Sequence, residues 1–276
     1  MSELEYALNT FYLLISGAFV MWMAAGFTML EAGLVRSKNV SEIVTKNLGL
    51  YSIACVMYLV CGFFLMYPGD SVYNGYFPML GSTWGITLGG LSFNQDLGYS
   101  DAADFFFQVV FVATAMSIIS GAVAERMKLM PFFLFAIVLT GFIYPVQGYW
   151  KWGGGWLDAI GYTDFAGSGV VHLCGAAAAL AAVIILGPRT GKYGSDGSIS
   201  VMRGSNIPIA ALGALILWLG WFGFNGGSQL AINDAANANA VAQVFLNTNA
   251  AAAGGVIGAL LICLLYTSDA ADDSQC

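Results

Sequence analysis

The chain has one histidine, and it closes the run Asp164-Phe165-Ala166-Gly167-Ser168-Gly169-Val170-Val171-His172, which leads straight into an apolar, alanine-rich stretch ending near Gly187. Read as helix, the run from Asp164 to His172 rises about 12 Å, nearly half of a hydrocarbon core about 30 Å thick. The aspartate then lies near one membrane surface and the imidazole near mid-depth. A titratable group at that depth is costly when charged, which favours neutral imidazole and makes His172 a candidate for function. The plainer alternatives are a core histidine bonded to a neighbouring helix and, for Asp164, an ordinary helix N-cap.

Aromatic rings, glycines and a hydroxyl recur near the same surface. In Phe105-Phe106-Phe107-Gln108-Val109-Val110-Phe111, the last ring is too deep for an interfacial belt. Tyr149-Trp150-Lys151-Trp152-Gly153-Gly154-Gly155-Trp156 cannot stay helical through its glycines, and non-helical backbone at a membrane surface needs protein or water to cover it. Trp152 beside it offers a π-face to a cation, although an interfacial tryptophan is the commoner explanation for any single residue. A third run, Trp218-Leu219-Gly220-Trp221-Phe222-Gly223-Phe224-Asn225-Gly226-Gly227-Ser228, ends in the same way. Convergence of the three, rather than any one residue, points to a site.

The elements that must position these residues follow from composition. With 58% hydrophobic and 9% charged residues in 276, the chain cannot be a soluble globular protein, in which about 25% charge is usual. Mean hydropathy is +0.75. Apolar spans fall at roughly 8–33, 47–67, 104–124, 130–149, 169–187, 207–227 and 241–265, each near the ~20 residues of a crossing, giving an all-α polytopic bundle of about seven transmembrane helices. All basic residues except Lys151 fall on alternate loops: Arg36, Lys38 and Lys46, then Arg126 and Lys128, then Arg189, Lys192 and Arg203. That bias predicts an N-terminus outside, with Asp164 facing outward. Glu31 is then expected to pair with Arg36 or Lys38 at the inner boundary, and Glu125 with Arg126. The long Gly-, Asp- and Asn-rich loop 68–103 is expected to cap the outer face.

Several functions are excluded. A retinal protein needs a lysine inside the last span, and there is none; a bis-histidine haem carrier needs a second histidine. Ser168 and His172, one turn apart, are the only nucleophile and base pair in reach, without a nucleophile elbow or paired acids around them, so no enzyme is expected. No cofactor, metal or nucleic-acid partner is expected either.

Four ordered stretches resemble the ammonium transporter family, which includes the Rh proteins, up to about Leu261: the Asp164 to His172 run, Glu31-Ala32-Gly33-Leu34-Val35-Arg36, Gly121-Ala122-Val123-Ala124-Glu125-Arg126, and Gly220-Trp221-Phe222-Gly223-Phe224-Asn225. The resemblance implies an eleven-helix fold of two inverted halves, assembled as a homotrimer with a pore in each subunit. By motif, Phe111, Trp152 and Ser228 look like the outer ammonium-recruiting site, Asp164 like the buried acid supporting it, Phe111 and Phe224 like a stacked gate, and His172 and Trp221 like pore-lining groups. The implied function is transport of ammonium or ammonia across a plasma (inner) membrane, with lipid around it and, in a full-length form, a PII-type nitrogen signalling protein as partner. Residues 1–265 are read as an incomplete membrane domain, because the resemblance implies helices beyond the seventh span, and 266–276 as non-native sequence, because a tail expected on the cytoplasmic side has three acids and no base.

Overall fold

The computed structural model describes residues 1–68, 75–78 and 98–266. Most of the loop expected as a cap, and the tail from 267 onward, lie outside the described residues. Among the described residues seven helices are long and apolar enough to cross a membrane: α1 (Glu3–Leu34), α2 (Ser37–Met66), α3 (Asp101–Val123), α4 (Leu129–Ala159), α5 (Ser168–Leu186), α6 (Ile207–Gly226) and α7 (Ala235–Cys263). No strand occurs among the described residues, only an isolated bridge between Tyr193 and Ile199. The apolar spans thus fold as expected, with helices extending beyond most of the predicted ends because polar end residues add backbone bonds outside the apolar window.

The hub is α3, buried along most of its length, which packs on α1, α2 and α5. Its Val110, Phe111, Val112 and Ala115 sit in a core with Val20, Tyr58, Tyr144, Val171 and Phe224. The tightest pairing is α1 with α6, and glycine makes it possible. A Cβ on Gly213 would lie 2.3 Å from the Leu30 nitrogen, and one on Gly33 2.5 Å from the Asn206 carbonyl. Lipid gives no hydrophobic drive for two helices to pair, so this backbone-to-backbone approach supplies the dispersion contact that holds them.

Four of these helices contain one widened π-turn each: Tyr58–Gly62, Leu139–Ile143, Ser168–Leu173 and Phe222–Gly226. An inserted residue shifts every later side chain around the helix by about 100°. Two of the four turns contain His172 and Phe224, so the widened turn determines which way each of these rings faces.

At the bundle end opposite Asp164, the ion pairs differ from expectation. Glu31 pairs with Lys46, Nζ to Oε2 3.2 Å, with both side chains 5% exposed. Lys46 also donates to the Ser120 carbonyl, and the Ser120 hydroxyl and Asn47 amide donate to the same Glu31 oxygen. Lys46 was expected on a loop, but helix begins at Val40 and carries it into the bundle, where Glu31 and the Phe132 ring receive the ammonium. Arg36 and Arg189 bind Glu125 at 2.9 and 3.1 Å, joining three loops through one buried carboxylate; Arg126 donates instead to the Gly187 carbonyl. Glu125 adopts φ of +60°, an unusual conformation for a side chain with Cβ, held by these bonds.

Burial works against the charge on Glu125, but hydrogen bonds from Arg36 and Asn39 outweigh it and hold its pKa below the ordinary carboxylate value. A depressed folded-state pKa stabilises the fold at pH above the unfolded value near ~4.3 and loses that contribution as pH falls through the folded value. Melting curves should therefore show Glu125→Gln less stable than wild type at neutral pH, with the gap narrowing on acidification below ~4.3. A gap that is constant or widens with acid contradicts this linkage.

Candidate functional site

Asp164 begins the site. It precedes α5 without being part of it, because residues 163–167 turn through irregular backbone with Gly167 at φ of +101°. The helical rise expected from Asp164 to His172 is therefore replaced by a tight cap. The Asp164 carboxylate, 7% exposed, accepts four backbone N–H groups: Gly167 and Ser168 on Oδ1 at 2.8 and 2.9 Å, and Gly169 and Val170 on Oδ2 at 2.9 and 2.8 Å. These include N–H groups that the first turn of α5 cannot satisfy internally, and the negative charge also meets the positive end of the helix dipole. Glycine at 167 is required twice: the left-handed backbone suits it, and a Cβ would lie 2.6 Å from Val171 Cγ2.

The same cap positions Trp152. Its indole Nε1 donates to the Asp164 carbonyl at 3.0 Å, which fixes the ring at a break within α4, just after Lys151, where Gly154 turns the chain at φ of +81° before helix resumes at Trp156. Trp152 stands edge-on to Phe111, centroids 6.2 Å apart at 81°. Phe111 in turn stacks on Phe224 at 4.1 Å and 28°. Both phenyl rings are 1% exposed, and Phe107 closes on Phe111 from the side at 4.7 Å. Below the stack, the His172 ring meets Phe224 edge-on at 5.4 Å.

A carbonyl oxygen can only accept, so the 3.3 Å contact between His172 Nδ1 and the Gly167 carbonyl places a proton on Nδ1, and Nε2 has no hydrogen-bond partner among the described residues. No hydrogen bond joins the Ser168 hydroxyl to His172, so no nucleophile and base pair forms between them.

A cavity of ≈ 750 Å³ opens at this level, bordered by Ser168, His172, Trp218, Trp221, Phe224, Asn225 and Thr248. Trp221, expected among pore residues, lies on its wall and is 38% exposed. Ser228, one turn after Phe224, donates its hydroxyl to the Phe224 carbonyl at 2.7 Å, with its oxygen lone pairs still free to accept. The structure thus brings Phe111, Trp152, Asp164, His172 and Phe224 into one chain of contacts, with Trp221 on the adjoining cavity and Ser228 joined through the Phe224 backbone.

Thr248 on α7 was missed by sequence reasoning. It is 8% exposed and accepts a hydrogen bond from Asn225 at 3.0 Å. The hint in the sequence is a polar Asn-Thr-Asn step, one turn after Gln243, within a largely apolar span. A second groove, ≈ 800 Å³ and lined by Leu139, Leu173, Ala178 and Ala182 among others, has no charged side chain on its wall and includes neither Phe111 nor Phe224. Among the described residues no group of His, Cys, Asp and Glu is arranged to hold a metal.

Comparison with known proteins bears on this geometry. A family model described as the Ammonium Transporter Family matches residues 11–268. A putative ammonium transporter of Synechocystis is 42% identical over 259 residues, covering 94% of this chain and 57% of that protein. Ammonium transporter Amt2 of Archaeoglobus fulgidus is 42% identical over 268 residues, covering 94% of this chain and 54% of its own length. Among solved structures, one described as a sensor Amt protein superposes with a TM-score of 0.85 at 36% identity, covering 98% of this chain and 65% of that one. Mep2 of Candida albicans gives a TM-score of 0.67 at 26% identity, covering 82% and 49%. The chain spans a little over half the length of these curated relatives.

Proposed function

Because the chain belongs to the ammonium transporter family, a family of integral membrane transporters and not of enzymes, we propose that residues 1–265 form an ammonium-recruiting site and gate leading into a hydrophobic passage for ammonium or ammonia. The observation that carries this reading is the stacked pair Phe111 and Phe224 between Trp152 on one side and His172 on the other.

Ammonium resembles potassium in size but brings N–H donors. A Trp152 face and the Ser228 oxygen offer cation–π attraction of about 0.5–2 kcal/mol and a directed acceptor. Potassium can use the π-face but cannot donate. Beneath that site the gate rings present no charge to replace lost water, and stripping a cation in a low-dielectric medium costs tens of kcal/mol, a term that neutral ammonia avoids. The proton and nitrogen therefore part near the gate, and the unprotonated His172 Nε2 accepts a hydrogen bond from ammonia or relays the proton. The positive-inside distribution supports an N-terminus and a Trp152 end on the outside, and the reading takes the membrane to be a plasma membrane. A homotrimer in lipid, and a PII-type partner for a longer form, complete the reading.

One observation favours a second function. The likeness to a structure described as a sensor Amt protein fits a chain that binds ammonium and passes none. Reconstituted vesicles separate the two. Under the transport reading, an inward ammonium gradient gives time-dependent uptake of labelled methylammonium that unlabelled ammonium competes away; saturable binding without accumulation would replace transport with sensing.

A further inference from the structure

The cavity beneath Phe224 has His172 on one part of its wall and Thr248 on another. Several helical threonines and serines return their hydroxyl proton to the carbonyl four residues earlier, Thr28 to Ala24, Thr114 to Val110, Ser117 to Ala113, Thr140 to Ala136 and Ser228 to Phe224, while Ser120 gives its proton to the Glu31 carboxylate. That is the default for a hydroxyl that must bury itself in an apolar helix. Thr248 departs from it. It is nine-tenths buried on α7, yet its hydroxyl makes no bond to the Val244 carbonyl, and its one partner is the Asn225 amide, which donates to Thr248 Oγ1 at 3.0 Å. The oxygen is thus occupied as an acceptor, while the O–H has no acceptor among the described residues. A buried donor left unsatisfied is costly, so one kept in the wall of a cavity points to a ligand that accepts.

We propose that Thr248, oriented by Asn225, is a specificity-determining donor that recognises the lone pair of neutral ammonia below the gate. The inference rests on the reading that nitrogen species pass this site. Ammonia carries a lone pair and N–H groups together. It can accept from Thr248 while donating to the bare Nε2 of His172. Ammonium has no lone pair and potassium has no donor, so neither satisfies both walls. Asn225 acts as a positioning residue: its amide holds the threonine rotamer that keeps the O–H off the helix backbone.

The test uses the intact chain in lipid nanodiscs and equilibrium binding of radiolabelled methylamine at acidic and alkaline pH. At acidic pH the probe is the cation and reports the aromatic site; at alkaline pH the neutral amine also fills the cavity. Thr248→Val, which keeps shape and removes the hydroxyl, should weaken the alkaline component by roughly 5-fold, the value of one net hydrogen bond, and leave the acidic component unchanged. Thr248→Ser should restore it. If the valine variant does not fold, Thr248→Ala carries the same expectation. Equal binding by variant and wild type at both pH values, or an equal loss at both, overturns the role of Thr248 while leaving the transport reading intact. A wild type that binds methylamine at neither pH overturns both.

Discussion

Asp164→Ala is expected to unfold the end of the bundle that holds Trp152. The carboxylate accepts four backbone N–H groups at 2.8 to 2.9 Å within a site that is almost closed to water. Alanine leaves all four donors unpaired, and those of Gly167 and Val170 are on buried residues. At about 1–3 kcal/mol for each buried orphaned donor, the loss is on the order of 2 kcal/mol or more, toward the upper end of the usual effect of a point substitution. Asparagine rescues little, because its amide turns two donors toward the N–H groups that one carboxylate oxygen accepted. Function should fail along with stability, since the Asp164 backbone carbonyl also anchors Trp152. Thermal melting in detergent measures the first effect and the methylammonium binding of the surviving fraction the second. A melting midpoint within a few degrees of wild type would mean that the cap tolerates unpaired donors and that Asp164 matters for another reason.

His172→Ala should trade selectivity for leakage. The imidazole fills the space under Phe224, with its Nδ1–H committed to Gly167. Truncation enlarges a cavity already able to admit water, and a file of water lowers the dehydration barrier that keeps cations out. Potassium permeability should rise by about tenfold or more over the wild type, equivalent to a barrier lowered by ~1.4 kcal/mol or more. Solid-supported-membrane currents from vesicles exposed to a potassium jump measure this. An alanine variant that still excludes potassium and passes ammonium at the wild-type rate removes His172 from the mechanism.

Sequence reasoning located the crossings and most aromatic residues, because span length and hydropathy are local properties that a bilayer enforces. It did not place the groups whose position depends on a non-local contact. Lys46 was assigned to a loop by its charge, and only the neighbouring Glu31 and the Ser120 carbonyl make burial acceptable. Asp164 was recognised as important, but its four N–H partners depend on Gly167 adopting left-handed backbone. The π-turns that aim His172 and Phe224 have no periodicity signal in an all-apolar span, where both helix faces read alike. Thr248 was missed because a threonine in a transmembrane helix normally bonds its own backbone; its significance lies in an absent bond and in Asn225, which reaches it from another helix.

The central claim is a water-stripping passage in which facing rings admit the nitrogen and refuse the ion. Its most direct test is a paired current measurement on vesicles containing the wild-type chain, with ammonium and potassium jumps of equal size. The account predicts a transient for ammonium and none for potassium. Equal currents for the two ions would contradict it, as would a current for potassium alone.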